Sequence, residues 1–389
     1  MAREAHVARI AGFIGDPVLR LRFLRAVAPR ISFVRKLPHG RLRNWILWVV
    51  LLLLALLTPF LMKLAAGKPE PLLLAVPVAP RVAAFSETRQ TVPVWQVEQT
   101  GDSEVYSNGL RIDTRFTVPT RRRLYTAFRR DGTTSTNRVR CSQPAGIVYH
   151  TTESCQAPFA AQDTPVLKRL GESLLEYVRR RRAYHYLIDR FGRVFRVVAE
   201  SDTAYHAGYS VWAGGEWFYI NLNEGFLGVS FEALTRAGQT DGIVSPAQVR
   251  SAAMLTEMLR SRYQIPAGNC VTHAQVSVNP ANMLVGYHTD WAAGFPYETL
   301  GLPDNYRLAL PSLWAFGFDY EPAWLASSGN QMASGVRLAE QEVVRRAADA
   351  GVRPASYRKA LRERYRLWLA EVRRGSPPDV QLRSGSAGR

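Results

Sequence analysis

Cysteine is scarce, at three in 389 residues, which is too few for a disulfide-dense scaffold. The 28 glycines and 23 prolines follow no fixed period, which excludes a collagen-like or low-complexity chain. Charge of one sign is missing from the middle. The formal net charge is +18, but residues 1–44 hold +8 of it and residues 351–389 hold +7, leaving +3 between them. A nucleic-acid-binding core carries the basic excess itself, so no nucleic-acid partner is expected. No HExxH or CxxC pattern and no internal repeat occurs, so the short zinc-site signatures and the solenoid architectures are absent.

One long apolar run is present. Trp45–Met62 contains 18 residues without an ionisable group, enough to span about 27 Å as a helix, close to a hydrocarbon core of about 30 Å. Leu64–Ala66 extend it past a snorkelling Lys63, and Trp45 and Trp48 stand where an aromatic belt would. The expected organisation is a basic cytoplasmic tail over 1–44 and a transmembrane helix over 45–66. Basic residues ahead of the helix put the N-terminus inside and the rest of the chain outside. A 44-residue lead and a full-length apolar stretch are both too long for a cleaved signal peptide, although LAAG after the helix resembles a weak cleavage site. An extracytoplasmic address permits disulfides: Cys141 and Cys155 as a pair with Cys270 left over, or three reduced thiols, both fit the spacing.

Beyond the apolar run, residues 67–91 are Pro- and Ala-rich and read as a stalk. Residues 92–140 hold short β-like runs around Asn108-Gly109 and Asp131-Gly132 and read as a small β extension. From Gly146 to about Asn305 strands and helices alternate. GIVYH, YHYLID, RVFRVVA and LGVSFEAL are strands, and Pro165–Arg182 is a helix with an apolar stripe of Val166, Leu170, Leu174 and Val178. Ser245, Pro246 and Gln248 form a capping box that starts another helix. The pattern predicts an α/β domain with a mixed central sheet flanked by helices over 141–305. Residues 306–389 follow as a C-terminal extension with helices at Gly335–Ala350 and Ala355–Arg374 and a basic tail. Leu361, Tyr365 and Leu369 share one side of the last helix; its basic face suits an anionic lipid or wall polymer, or solvent while the apolar side packs on the domain.

Five of the seven histidines, His150, His185, His206, His273 and His288, fall within residues 150–288. His150 and His273 each end a strand, where a buried element opens onto a site, and Asp290 follows in HTD before a Gly-Phe-Pro turn. Two histidines and a carboxylate satisfy a catalytic zinc, which takes three protein ligands and leaves a fourth position open.

The segments IVYHTTES, YHYLIDRFGRVFRVV, TAYHAGYS, LGVSFEA, SPAQVRSAAMLTEMLRSRY, THAQVSVNP and HTDWAAGFP occur in the order found in zinc-dependent N-acetylmuramoyl-L-alanine amidases. The chain resembles that family, which includes phage lysozyme-type amidases and peptidoglycan recognition proteins, over roughly residues 145–300. The resemblance implies Zn2+ on His150, His273 and Asp290. A long loop between His273 and Asp290 leaves His288 as a substitute third ligand. Tyr184 matches the family's active-site tyrosine, and His288 stands in place of a lysine. The family's acidic residue after its Ile-Gly-Ile strand falls on Ser230, with Glu232 two residues on and on the same strand face. His206 and Asn223 match substrate-binding positions, while His185 alternates away from Tyr184.

The family's reaction cleaves the amide between N-acetylmuramic acid and the L-alanine of the stem peptide. Tyr184, Glu232 and His288 are the implied catalytic groups, with Glu232 as general base and then acid. The expected enzyme sits in a bacterial inner membrane through one helix, with its catalytic domain on the periplasmic side, facing peptidoglycan. The competing readings are a catalytically silent peptidoglycan-binding module and an anchored scaffold.

Overall fold

The computed structural model describes residues 92–130 and 138–375. The basic tail, apolar helix and stalk expected over residues 1–91, and the last part of the basic tail, lie outside the described residues. Among the described residues no helix is long and apolar enough to cross a membrane.

The turn chemistry legible in the sequence is used as such. Strands β1 (Gln96–Gln99), β2 (Ser103–Tyr106) and β3 (Arg111–Asp113) form an antiparallel meander, and Gly109 at φ +85 supplies the left-handed residue of the β2–β3 turn. Strands β4 (Tyr125–Arg129) and β5 (Arg138–Cys141) pair across the Asp131-Gly132 segment. The central run follows as β6 (Gly146–Thr151), buried along its whole length, as an apolar run must be when it is covered on both faces.

Helix α1 (Thr164–Arg181) then leads into the hairpin of β7 (Tyr186–Ile188) and β8 (Val194–Arg196). Gly192, at φ +79, closes that hairpin where a Cβ would stand 2.7 Å from the Ala247 carbonyl oxygen. Next come β9 (Val211–Gly214), β10 (Trp217–Ile220) and β11 (Phe226–Phe231). Helix α2 (Pro246–Tyr263) and β12 (Cys270–Thr272) complete the unit.

Eight strands form one mixed sheet in the order β1-β2-β3-β8-β7-β11-β6-β12, with β7, β11, β6 and β12 parallel at its working end. A second sheet has the order β5-β4-β10-β9. The strands from residues 92–140 therefore belong to both sheets of the α/β unit and extend them.

Register decides which face each side chain takes. Val148, Gly228 and Val271 lie on one face of the main sheet and Ile147, Val229 and Cys270 on the other. Ala252, Leu255, Met258 and Leu259 of α2 share one buried cluster with Tyr149, Val229 and Phe231. Leu175 and Val178 of α1 cluster instead with Leu187 and Phe195, and part of the second sheet clusters with Val148 and Val271.

The buried stripe of α1 is Leu167, Gly171, Leu175 and Val178, whereas Val166 is 38% exposed. Of the expected stripe, Val178 is buried, while Val166, Leu170 and Leu174 are each replaced by the next residue along. The helix rolls toward Gly171 because a Cβ there would lie 3.3 Å from the Glu232 carboxylate, so the glycine admits a neighbour that larger residues exclude.

The capping box of α2 forms as the sequence specifies. Ser245 Oγ accepts from the Gln248 backbone N–H at 3.1 Å, and Gln248 Oε1 accepts from Ser245 N–H at 3.0 Å. Gln248 Nε2 also donates to the carbonyls of Ile188 and Glu232, tying the helix start to the ends of two strands. Ser245→Ala is expected to cost about 1 kcal/mol, seen as a lower urea midpoint with an unchanged m-value.

Helix α4 (Pro354–Gly375) packs on the second sheet, and α3 (Ala333–Asp349) packs against α4. Trp368 stacks on Phe128 at 4.7 Å between ring centroids, and Leu361, Tyr365 and Leu369 are buried. The apolar side of α4 thus packs on the protein's own domain. Cys141, Cys155 and Cys270 are all free thiols, the last buried.

Candidate active site

The parallel ends of β6, β11 and β12 place their last residues side by side. His150 is paired in register with Ser230, and His273 follows directly on β12, opening a short helical turn, His273–Val276. Both histidines are buried.

The segment between His273 and Asp290 folds as a small hairpin, β13 (Val278–Asn279) with β14 (Leu284–Val285). This accounts for its length, because the hairpin leaves the sheet and returns. Asp290 is then fixed twice. Its carbonyl accepts from Ala274 N–H at 3.1 Å, and the next residue, Trp291, is fully buried against Phe231 and Phe295 with a left-handed backbone at φ 57.

Asp290 thereby meets both histidines. His273 Nδ1 lies 2.8 Å from Asp290 Oδ1 and His150 Nδ1 lies 3.2 Å from Oδ2. One ligand atom from each of the three residues falls within 4.8 Å of the others. His288 is placed differently: its ring stacks on His273 at 4.6 Å, outside this cluster.

Burial, and the proximity of His273, depress the His150 pKa to about 4, so its imidazole is neutral near pH 7. Burial by itself would raise the Asp290 pKa, but His273 and the contacts with both imidazoles outweigh it and hold the carboxyl well below the usual range. Two imidazoles and an ionised carboxylate are the kind of donor set that zinc takes at a catalytic centre. Among the described residues no Lys or Arg forms an ion pair with Asp290, so the buried negative charge suits a cation. His273 Nε2 is buried without a hydrogen-bond partner. By these tests the three residues fit a zinc ion.

The remaining sequence-derived residues surround this cluster unevenly. The Tyr184 ring lies 5.1 Å from that of His150, and burial, with Asp290 adding, pushes its hydroxyl pKa above the ordinary value. Ser230 Oγ is buried and lacks a partner of hydrogen-bond geometry. Glu232 is buried beneath Gly171 of α1, and its Oε2 accepts from Arg190 N–H at 3.2 Å. Burial raises its pKa. His206 touches His150 rather than lying apart from it, with Nδ1 3.1 Å from His150 Nε2. Asn223 Oδ1 accepts from the backbone N–H groups of His206, Ala207 and Gly208.

Two residues that sequence reasoning missed also bear on the site. Glu153, at φ 49 three residues after His150, has Oε1 held by the Thr151 hydroxyl, the Thr235 hydroxyl at 2.6 Å and Thr235 N–H at 3.1 Å. A non-glycine residue in the left-handed region beside a strand-end histidine was its only structural signal, and a sequence does not show φ. Arg123 is buried, and no pattern in its surroundings (TRRRLY) separates it from its neighbours. A cavity of about 50 Å³ lined by Thr235, Thr289 and Ser327, among others, includes none of the cluster residues and plays no part in the arrangement above.

Residues 140–290 match the protein family described as N-acetylmuramoyl-L-alanine amidase. This segment belongs to that family. The match covers less than half of the chain, yet it runs from the end of β5 through Asp290 and so contains all three clustered residues. No curated protein matches the chain. Among solved structures, the chain is similar to the N-acetylmuramyl-L-alanine amidase AmiD from E. coli, in complex with anhydro-N-acetylmuramic acid-L-Ala-D-gamma-Glu-L-Lys. The identity is 20%, over 68% of this chain and 96% of that one, with a TM-score of 0.34. It is also similar to AMPDH3 from Pseudomonas aeruginosa in complex with anhydromuramic pentapeptide, at 24% identity over 44% of this chain, with a TM-score of 0.28. The chain spans 63% of the length of AMPDH3. A Drosophila peptidoglycan recognition protein, SD, is 19% identical over 36% of this chain and 74% of its own, with a TM-score of 0.24.

Proposed function

We propose that the protein is a membrane-anchored, zinc-dependent N-acetylmuramoyl-L-alanine amidase that cuts the amide between N-acetylmuramic acid and the L-alanine of the peptidoglycan stem peptide. The observation that carries this reading is the meeting of His150, His273 and Asp290 inside the family-matched segment. Zinc held by those three residues supplies a Lewis acid for the carbonyl and lowers the pKa of water to about 7.

The chain's own groups do the rest. With its pKa raised, the Tyr184 hydroxyl stays protonated at neutral pH and can donate to the oxygen on which charge develops. His288, its pKa lowered by burial, is a neutral imidazole stacked on His273 and a second candidate donor. Glu232 is assigned the proton transfer: it follows Ser230 by two residues, just past the end of the strand that pairs with β6, and burial raises its pKa, the direction such a group needs. The apolar run at 45–66 would hold this domain at the inner membrane, facing the wall.

A silent peptidoglycan-binding module is the second reading, and Ser230 favours it, because a neutral hydroxyl occupies the position where the family resemblance expects an acid. Full-length protein incubated with peptidoglycan, with zinc or with a chelator, separates the two. Zinc-dependent release of stem peptides with a free N-terminal alanine, detected by mass spectrometry, is the expected result. Binding of the polymer without release under either condition would establish the silent module. Tyr184→Phe, which removes one donor, is expected to lower kcat by roughly 10²- to 10³-fold with zinc content unchanged. An unaltered kcat would remove Tyr184 from the chemistry.

A further inference from the structure

We infer that His206 is a positioning residue that fixes the tautomer of His150 and thereby aims the Nδ1 lone pair of His150 at the cation site. The inference rests on the zinc-amidase reading and deepens it. It starts from the Phe226 carbonyl oxygen, which lies 3.3 Å from His206 Nε2. A carbonyl only accepts, so the proton of the His206 ring sits on Nε2, and Nδ1 is left with a lone pair. That lone pair faces His150 Nε2 at 3.1 Å, so His150 donates from Nε2 and its own Nδ1 is bare. Nδ1 is the atom 3.2 Å from Asp290 Oδ2. Two lone pairs that face each other in a buried site repel unless a cation lies with them, so this tautomer is the one of the cation-loaded site; in the metal-free chain a proton on Nδ1 takes the cation's place and is donated to Oδ2.

Metal-bound histidines ordinarily donate their second nitrogen to a carboxylate, a backbone carbonyl or water. Here a second imidazole is interposed before the carbonyl. Its place is built with care on every side. A Cβ on Gly228 would stand 2.6 Å from the His206 ring, so glycine on β11 is what admits the ring between the strand and His150. Asn223 Oδ1 takes three backbone N–H groups at 2.7–2.8 Å and so holds the 206–208 turn that carries the ring.

Phe226 O also accepts from Arg123 Nη1 at 3.2 Å, and Arg123 further donates to the carbonyls of Glu200 at 2.9 Å and Asp202 at 3.0 Å, ahead of that turn. A fully buried guanidinium thus holds the Phe226 carbonyl that ends the relay and the chain ahead of the turn that carries His206. Residues 120–125, from the region ahead of the family-matched segment, support the ligand geometry through Arg123, Phe226, His206 and His150 in turn. His206, expected at the substrate, thus also touches the ligand His150, and Asn223 holds the turn that carries it.

The test compares the zinc affinity of the full-length protein, measured by competition with a chelator, for wild type, His206→Leu and His206→Asn. Leucine removes the acceptor and is expected to weaken zinc 10- to 100-fold. Asparagine restores an acceptor at the level of Nδ1 and is expected to bind zinc close to wild type. In parallel, long-range ¹H–¹⁵N correlation spectra of the zinc-loaded wild type should show Nε2–H on both His150 and His206. A leucine variant that binds zinc as tightly as wild type, or an Nδ1–H form of either ring, would overturn the relay while leaving the amidase reading in place. Failure of wild type itself to bind zinc would instead bring down the zinc-amidase reading on which the inference rests.

Discussion

Exchange of Asp290 for asparagine is expected to take zinc from one ion per chain to near none and to lower turnover on the order of 10³-fold or more. The size follows from what leaves. Asp290 is the one anionic group among the three clustered residues, and the charge stabilisation that a bound metal supplies amounts to several kcal/mol, each 1.4 kcal/mol being tenfold. Asparagine preserves shape but leaves two imidazoles and an amide, a donor set that holds zinc poorly.

The same exchange also affects stability in a pH-dependent way. The Asp290 pKa is lower in the folded chain than in the unfolded one, so the carboxylate contributes stability above its unfolded value that is lost as pH falls toward the folded value. Metal-free Asp290→Asn should therefore unfold at lower urea than metal-free wild type at pH 7, and the gap should narrow in acid. Metal analysis by mass spectrometry and urea melts at two pH values check both halves. Retained zinc in Asp290→Asn, with loss of zinc in His288→Ala, would transfer the third ligand to His288.

What the sequence showed of this site followed the range of the interactions involved. Local devices were readable: the capping box at Ser245, the Asn108-Gly109 turn and the polar residue that ends each buried strand all act within a few positions. His150 and His273 were found because a strand-end histidine is a local pattern, and the family resemblance joined them to Asp290. The hairpin that returns Asp290 to the site was not readable, since β13 and β14 are two residues each and carry too little period to detect.

The contact between His206 and His150 was out of reach for another reason. Fifty-six residues separate them, and only the register of β11 on β6, with a glycine at 228, brings the two rings together. The strands of residues 92–130 were recognised, but not their partners. Pairing β3 with β8 in parallel joins segments roughly 80 positions apart, and periodicity within a strand does not carry that information. On α1, three of the four stripe positions were displaced by one residue toward Gly171 and the Glu232 carboxylate just past the end of β11, a neighbour that the helical pattern alone does not reveal.

That carboxylate gives the last test its logic. Glu232→Gln is expected to lower kcat by about 10²- to 10⁴-fold, the ordinary worth of a positioned general acid and base, with zinc content unchanged. Glutamine can still accept from Arg190 N–H and still fits beneath Gly171, so the fold should not suffer. It should gain. Burial raises the Glu232 pKa in the folded chain, and a group so shifted contributes stability that is present below its unfolded pKa and lost as pH rises through the folded one. Ionisation of Glu232 is therefore a cost that glutamine does not carry, and the variant should melt above wild type at high pH by a margin that shrinks in acid.

Activity and stability moving in opposite directions is the mark of a site kept for chemistry; a purely structural Glu232 would lose both. The control is Glu153→Gln, on the rim after His150. Its Oε1 is held by Thr151 and Thr235, and glutamine can keep that oxygen as an acceptor, so this variant should retain most of its turnover. If Glu153→Gln is the inactive one and Glu232→Gln turns over normally, proton transfer belongs to Glu153, and the buried Glu232 serves the packing of α1 alone.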